Sequence, residues 1–198
     1  MKPVFNIENV TLNIHTYQRA PALVALGAAL AAATATPAPE PVELTGVPAH
    51  GEYWPGEGGK NGGYVPARCD VPAHYLIIAA EDVGKRAWGG YGVESKALSK
   101  TDGKANTCAL IESETDHPAA QAAAEYTADG HNDFCLPSAA ELYQAWVNCP
   151  ELFAKEWYWS STQRSAYNAF IQGFGDGYQY GNGKTSEFLV RPVRRKFI

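Results

Sequence analysis

The sequence predicts a loop-rich α+β domain, two helices packed on an antiparallel sheet, preceded by a short N-terminal extension. Three observations carry this. The 198-residue chain holds 19 Gly and 13 Pro, a density of chain breakers that argues against a helical bundle. Two stretches between Pro118 and Asn148 carry helix signals. From Trp157 to Ile198 aromatic residues alternate with Gly, Ser and Asn in short strand-like pieces.

Taken in order, Val10, Leu12 and Ile14 alternate with Thr11, Asn13 and His15, the period of a strand with one buried face. Ala22 to Ala33 reads as an Ala-rich helix, and Pro37, Pro39 and Pro41 as a stiff extended linker. Arg19 followed by this apolar run has a superficial likeness to a signal peptide, but the region before it is long and strand-patterned. The run is also too short and too Ala-rich to span a bilayer. Residues 1–46 are therefore expected to attach or oligomerise the protein, with a flexible leader as the plainer alternative. Residues 47–198 are expected to form the main domain.

That domain opens with the turn-rich stretch Gly51 to Arg68. His74 to Ala80 is a nearly continuous apolar run, the mark of a buried central strand. Trp88-Gly89-Gly90-Tyr91-Gly92 reads as a turn carrying aromatics. A first helix is expected over about 118–126, with Pro118 at its first position. A second begins at Ser138, whose spacing to Glu141 makes a capping box, and stops near Asn148 ahead of Pro150. Strands are expected over 168–174, 178–180 and 187–193, as a meander with turns at Gly175-Asp176-Gly177 and Gly181-Asn182-Gly183.

The formal net charge of −5 gives no support for nucleic-acid binding through phosphates, which needs a basic face. The one basic run, Arg191 to Lys196, reads as the solvated edge of a last strand. No pair among Cys69, Cys108, Cys135 and Cys149 has the close spacing of a zinc knuckle or redox motif. Two disulfides and four free thiols both remain compatible with the spacing. His117 reads as a helix-start residue, His131 follows a Gly in a turn, and His50 and His74 lie near Pro-rich loops, so no catalytic set, cofactor or metal site is indicated. Asp176 reads as a turn-capping residue; one carboxylate is thin for calcium, which takes about six to eight oxygens.

Several motifs follow one another in a specific order: Asp102-Gly-Lys-Ala-Asn-Thr107, an Ala-rich helix, Asp133-Phe-Cys-Leu-Pro-Ser-Ala-Ala-Glu-Leu142, Tyr158-Trp-Ser-Ser-Thr162 and Val190-Arg-Pro-Val-Arg194. In this order they resemble the C-terminal domain of collagen-like bacterial adhesins, over roughly residues 51–198. The nearest likeness is to prophage-encoded tail-fibre or tail-tip proteins with the same Gly-Glu-Tyr-Trp-Pro-Gly-Glu-Gly-Gly opening. The resemblance implies a C-type-lectin-like fold and a non-enzymatic virion protein that binds a host cell-surface receptor. It also implies a homotrimer joined to other tail proteins through residues 1–46. A structural virion component and a bacterial surface adhesin for polysaccharide are the alternatives. The Glu-Pro-Asn and Trp-Asn-Asp strings of calcium-dependent sugar binding do not occur, nor does a Gly-X-Y repeat.

Tyr and Arg dominate binding hot spots, and Asn, Ser and Gly supply adaptable hydrogen bonds. The candidate ligand-binding residues are therefore Gln163, Arg164, Tyr167 and Asn168 from one loop, and Tyr178, Tyr180, Asn182 and Lys184 from a hairpin. Phe170 and Phe174 share one face and are expected in the core. Ser138, Glu141, Trp159, Arg191 and Arg194 are expected to be structural, with Asp133 and Glu141 as carboxylate partners of the two arginines.

Overall fold

The computed structural model describes residues 46–68 and 71–198. The N-terminal strand, the Ala22–Ala33 helix, the proline linker and Cys69 lie outside the described residues. The described part is mixed α+β: strands β1 (Tyr53–Trp54), β2 (Gly59–Val65), β3 (His74–Ala79) and β4 (Lys85–Ala87), then helices α1 (Gly103–Ile111), α2 (Pro118–Ala124) and α3 (Ala139–Asn148). A 3-10 turn (Pro150–Leu152) leads to β5 (Trp157–Gln163), β6 (Asn168–Gly173), β7 (Gln179–Gly183), β8 (Glu187–Leu189) and β9 (Val193–Phe197). One sheet runs β1-β2-β3-β9 and is antiparallel. The other runs β4-β8-β5-β6-β7 and is antiparallel except where β8 meets β5.

The apolar run at 74–79 is an interior strand as expected, flanked by β2 and β9. Its neighbour β2, Gly-Lys-Asn-Gly-Gly-Tyr-Val, reads as turn in the sequence yet is strand. Close approach explains it: a Cβ on Gly59 would sit 2.3 Å from the Ile78 carbonyl oxygen, and one on Gly62 2.9 Å from Ile78 Cδ1. Here glycine marks contact between strands rather than a reversal of the chain.

Helix α3 begins as its sequence predicts. Ser138 Oγ accepts from Glu141 N, and Glu141 Oε2 accepts from Ser138 N at 2.8 Å. Helix α2 ends two residues earlier than expected. Helix α1 was not anticipated, because it has almost no apolar stripe; Asp102 caps it by accepting from Ala105 N.

The expected continuous meander is corrected. Only β5, β6 and β7 follow one another as antiparallel neighbours. The stretch expected as one strand over 187–193 divides between the two sheets, because Val190 and Arg191 turn into the interior and Pro192 offers no N–H. The expected turn at Gly181-Asn182-Gly183 is strand β7, and the chain reverses at 184–186 instead. Gly177 does adopt a positive φ of 78°, and Asp176 Oδ1 accepts from Tyr178 N, as a turn-capping residue should.

Two core clusters lie on opposite faces of β5. Tyr158 joins Leu76, Ile78, Leu142, Phe153 and Phe174; Trp159 joins Trp88, Leu110, Ala120, Leu136 and Ile171. Trp159 is wholly buried and donates from Nε1 to the Arg86 carbonyl. Phe174 is core as expected, stacked on Phe153 at 3.8 Å. Phe170 is not: it is half-buried beneath the Arg164 guanidinium.

The basic run is not solvated. Arg191 is buried and reaches Asp82 and the carbonyls of Ala79, Ala80 and Leu152. Arg194 pairs with Asp133 and Glu57, both at 2.7 Å. Asp133 is thus the expected partner, while Glu141 pairs with Arg195 instead. Arg195 also reaches Asp102, so it joins the capping carboxylates of α1 and α3. Strand β9 thereby holds both helix starts against the first sheet, which is its structural role.

Candidate functional site

The second sheet and the loop after β4 meet at one end of the domain. The loop is shaped by Gly89, whose φ of 86° is open to glycine, and a Cβ there would lie 2.0 Å from the Asp116 carbonyl oxygen. Backbone bonds tie it to two other chain reversals. Gly92 N donates to the Ala166 carbonyl at 3.0 Å, Lys184 N to that of Tyr167 at 3.0 Å, and Gly89 N to that of Lys184 at 3.1 Å.

Beneath these loops lies a buried polar cluster. Lys184 is wholly buried. Its Nζ donates to Gln163 Oε1 at 2.7 Å and to the Val93 carbonyl at 2.8 Å, and sits 4.7 Å from the centre of the Trp88 ring. Gln163 Oε1 also accepts from Ser95 N, and its amide nitrogen contacts Glu94. Burial pulls the Lys184 ammonium below its ordinary range, with Glu94 acting the other way. His117 braces the far side, its Nδ1 3.0 Å from the Trp88 carbonyl oxygen and its ring edge-on to the indole. Burial lowers the His117 pKa, with the bond to the Trp88 carbonyl opposing it.

The expected positions of Gln163 and Lys184 on an open binding face are therefore corrected. Both are interior, because the loop over 89–97 folds across them and its carbonyls and amides need partners. Asn168 and Asn182 shape turns: Asn168 N donates to Ser165 Oγ, and Asn182 Oδ1 accepts from Gly183 N and Ser186 Oγ. Tyr178 is exposed, but at the other end of β7, roughly 20 Å of extended chain from Lys184. The hairpin does not gather its named residues at one tip.

Arg164 stays with Tyr180, and Tyr167, from the same connection between β5 and β6, packs on Tyr91 instead. Arg164 is exposed, its guanidinium carbon 5.9 Å from the Phe170 ring centre and 5.7 Å from that of Tyr180. Tyr167 packs edge-on against Tyr91 at 5.3 Å. Tyr91, Tyr167 and Tyr180 are each more than half exposed. The exposed groups are thus an arginine and three tyrosines, in two pairs, on chain reversals that backbone bonds tie together. Tyr91 was missed as a site residue, although an aromatic among three glycines at 88–92 was its visible signal.

No group of three or more His, Cys, Asp or Glu side chains among the described residues is arranged to hold a metal ion. Cys108, Cys135 and Cys149 are free thiols. Burial pushes the Cys149 thiol up to about 12 and that of Cys135 well above its ordinary value, so neither is a ready nucleophile. No helix among the described residues is long and apolar enough to cross a membrane. No protein-family model matches the chain, and no curated protein matches it.

Proposed function

We propose that this chain is a non-enzymatic receptor-binding component of a phage or prophage tail, carrying a C-type-lectin-like domain over residues 47–198. The observation that carries the reading is the exposure of two pairs, Arg164 with Tyr180 and Tyr167 with Tyr91, on loops and strands tied together by backbone bonds. Three large rings and a guanidinium kept at the surface are the side chains that dominate binding energies elsewhere. Holding them on backbone-bonded loops lowers the entropy lost on binding.

The lectin-like reading is supported by the division of labour between the sheets. The last strand pairs beside β3 in the first sheet, while a long excursion builds the second sheet and its loops. The motif residues that carry the resemblance lie in supporting positions: Ser138 and Glu141 cap α3, and Trp159 and Arg191 are interior. The protein acts in the virion as a homotrimer joined to other tail proteins through residues 1–46. Each contact with a host cell-surface receptor, glycan or protein, is weak alone and strengthened by the number of copies on a particle.

The test is adsorption of particles carrying Arg164→Ala, Tyr167→Ala and Tyr180→Ala together. Because these side chains lie outside both core clusters, folding and incorporation should be normal and host adsorption should be lost. Normal adsorption by such particles would sink the reading.

A further inference from the structure

A cleft of about 460 Å³ opens between α3 and the end of β2 with Pro66 and Arg68 beyond it. None of its residues belongs to the surface around Tyr91 and Tyr180. Tyr64 and Tyr143 line it, each about half exposed. Its polar lining is His50, Arg68, Gln144 and Asn148. Gln144 Nε2 donates to the Tyr64 carbonyl at 3.1 Å, and Asn148 Nδ2 to the Gly62 carbonyl at 2.7 Å. These bonds tie the two walls together. They also spend amide donors on the backbone and leave the amide oxygens as acceptors.

Next to the cleft is a recess of about 10 Å³, which shares Pro66, Arg68, Ala140 and Gln144 with it and is lined also by His74. Such a space holds one water or one hydroxyl group. His74 is wholly buried on β3. Its Nδ1 lies 2.8 Å from the Pro72 carbonyl oxygen, which can only accept, so Nδ1 carries the proton. Nε2 is then a bare acceptor, and it has no partner among the described residues. A buried acceptor left without a donor is destabilising, so the recess calls for an O–H or N–H group. Burial lowers the His74 pKa, with the Pro72 bond opposing it, which keeps the ring in this neutral form.

The geometry points to a binding site for a pyranose sugar in the cleft between β2 and α3, with one ring hydroxyl donating to His74 Nε2 in the recess. A sugar ring has an apolar C–H face suited to the Tyr64 and Tyr143 rings. Its hydroxyls both donate to the Gln144 and Asn148 oxygens and accept from Arg68. An apolar ring leaves all of these acceptors, and Nε2, unserved. The volume suits one or two sugar rings.

Saturation-transfer NMR on the full chain, with methyl glycosides of glucose, galactose, mannose and N-acetylglucosamine at millimolar concentration, tests the assignment. At least one glycoside should receive saturation. Tyr64→Ala and Tyr143→Ala should each weaken its binding by about tenfold or more, and Tyr180→Ala should leave it unchanged. Both cleft tyrosines are half exposed, so either variant should fold. No transfer to any glycoside, transfer that survives both cleft variants, or transfer to indole but to no glycoside would each overturn it. The adsorption test concerns different residues, so the two readings can fail separately.

Discussion

Lys184 carries a charge into the interior without a carboxylate in direct contact. Its ammonium is instead served by the Val93 carbonyl and by Gln163, which is itself held by Ser95 and Glu94. Removing the amine leaves the Val93 carbonyl and one side of Gln163 unpaired beneath the loop. Lys184→Met should therefore destabilise the domain by about 3 kcal/mol, since hydrogen bonds to charged groups are the stronger ones and their orphaned partners stay buried. Urea unfolding of the variant checks this; a midpoint equal to that of the parent would refute the bracing role. From the sequence, a Lys after Asn-Gly reads as surface. Its burial depends on Trp88 and Val93, about 90 positions away, and nothing local announces them.

Among the elements, α3 and β2 represent two kinds of legibility. Helix α3 was readable to the residue because its start is a local matter: Ser138 and Glu141 are three positions apart and satisfy each other. Strand β2 was unreadable because its glycines answer to Ile78 across the sheet. Gly59→Ala should consequently cost about 2 kcal/mol or more, well beyond the Gly-to-Ala effect in an open strand. Its Cβ would press on the Ile78 backbone, which cannot rotate away as a side-chain end can. Thermal unfolding of this variant beside Gly183→Ala, where a Cβ meets open space, gives the comparison. Equal melting temperatures would count against close approach as the reason for glycine. Strands β8 and β9 teach a related lesson. The sequence pattern is continuous through Val190-Arg191-Pro192, and the change of sheet follows from the carbonyls and Asp82 that Arg191 reaches.

At the scale of the whole molecule, two interior histidines set the response to acid. His74 and His117 both have folded-state pKa values lowered by burial, so between those values and the ordinary 6.5 the unfolded chain binds more protons than the folded one. Stability therefore rises with pH through that window. It is lost as pH falls from about 6.5 toward the lowered values. Calorimetry from pH 7.5 to pH 5 should find a falling melting temperature, with the slope reduced in His117→Gln. A flat profile, or one that rises toward acid, would mean that neither ring is held neutral.

Legible in the sequence were the α+β class, the central strand at 74–79, the cap and length of α3 and the reversal at Asp176. All of these rest on local period or on partners a few positions apart. Tertiary structure alone decided which of the candidate binding residues face outward. It kept Arg164 beside Tyr180 and set Tyr91 against Tyr167. It drew Gln163 and Lys184 under a loop and set Tyr178 at the far end of β7. The reason is physical: exposure is a property of what packs over a side chain. In this domain the covering groups come from a loop some 70 to 90 positions earlier in the chain.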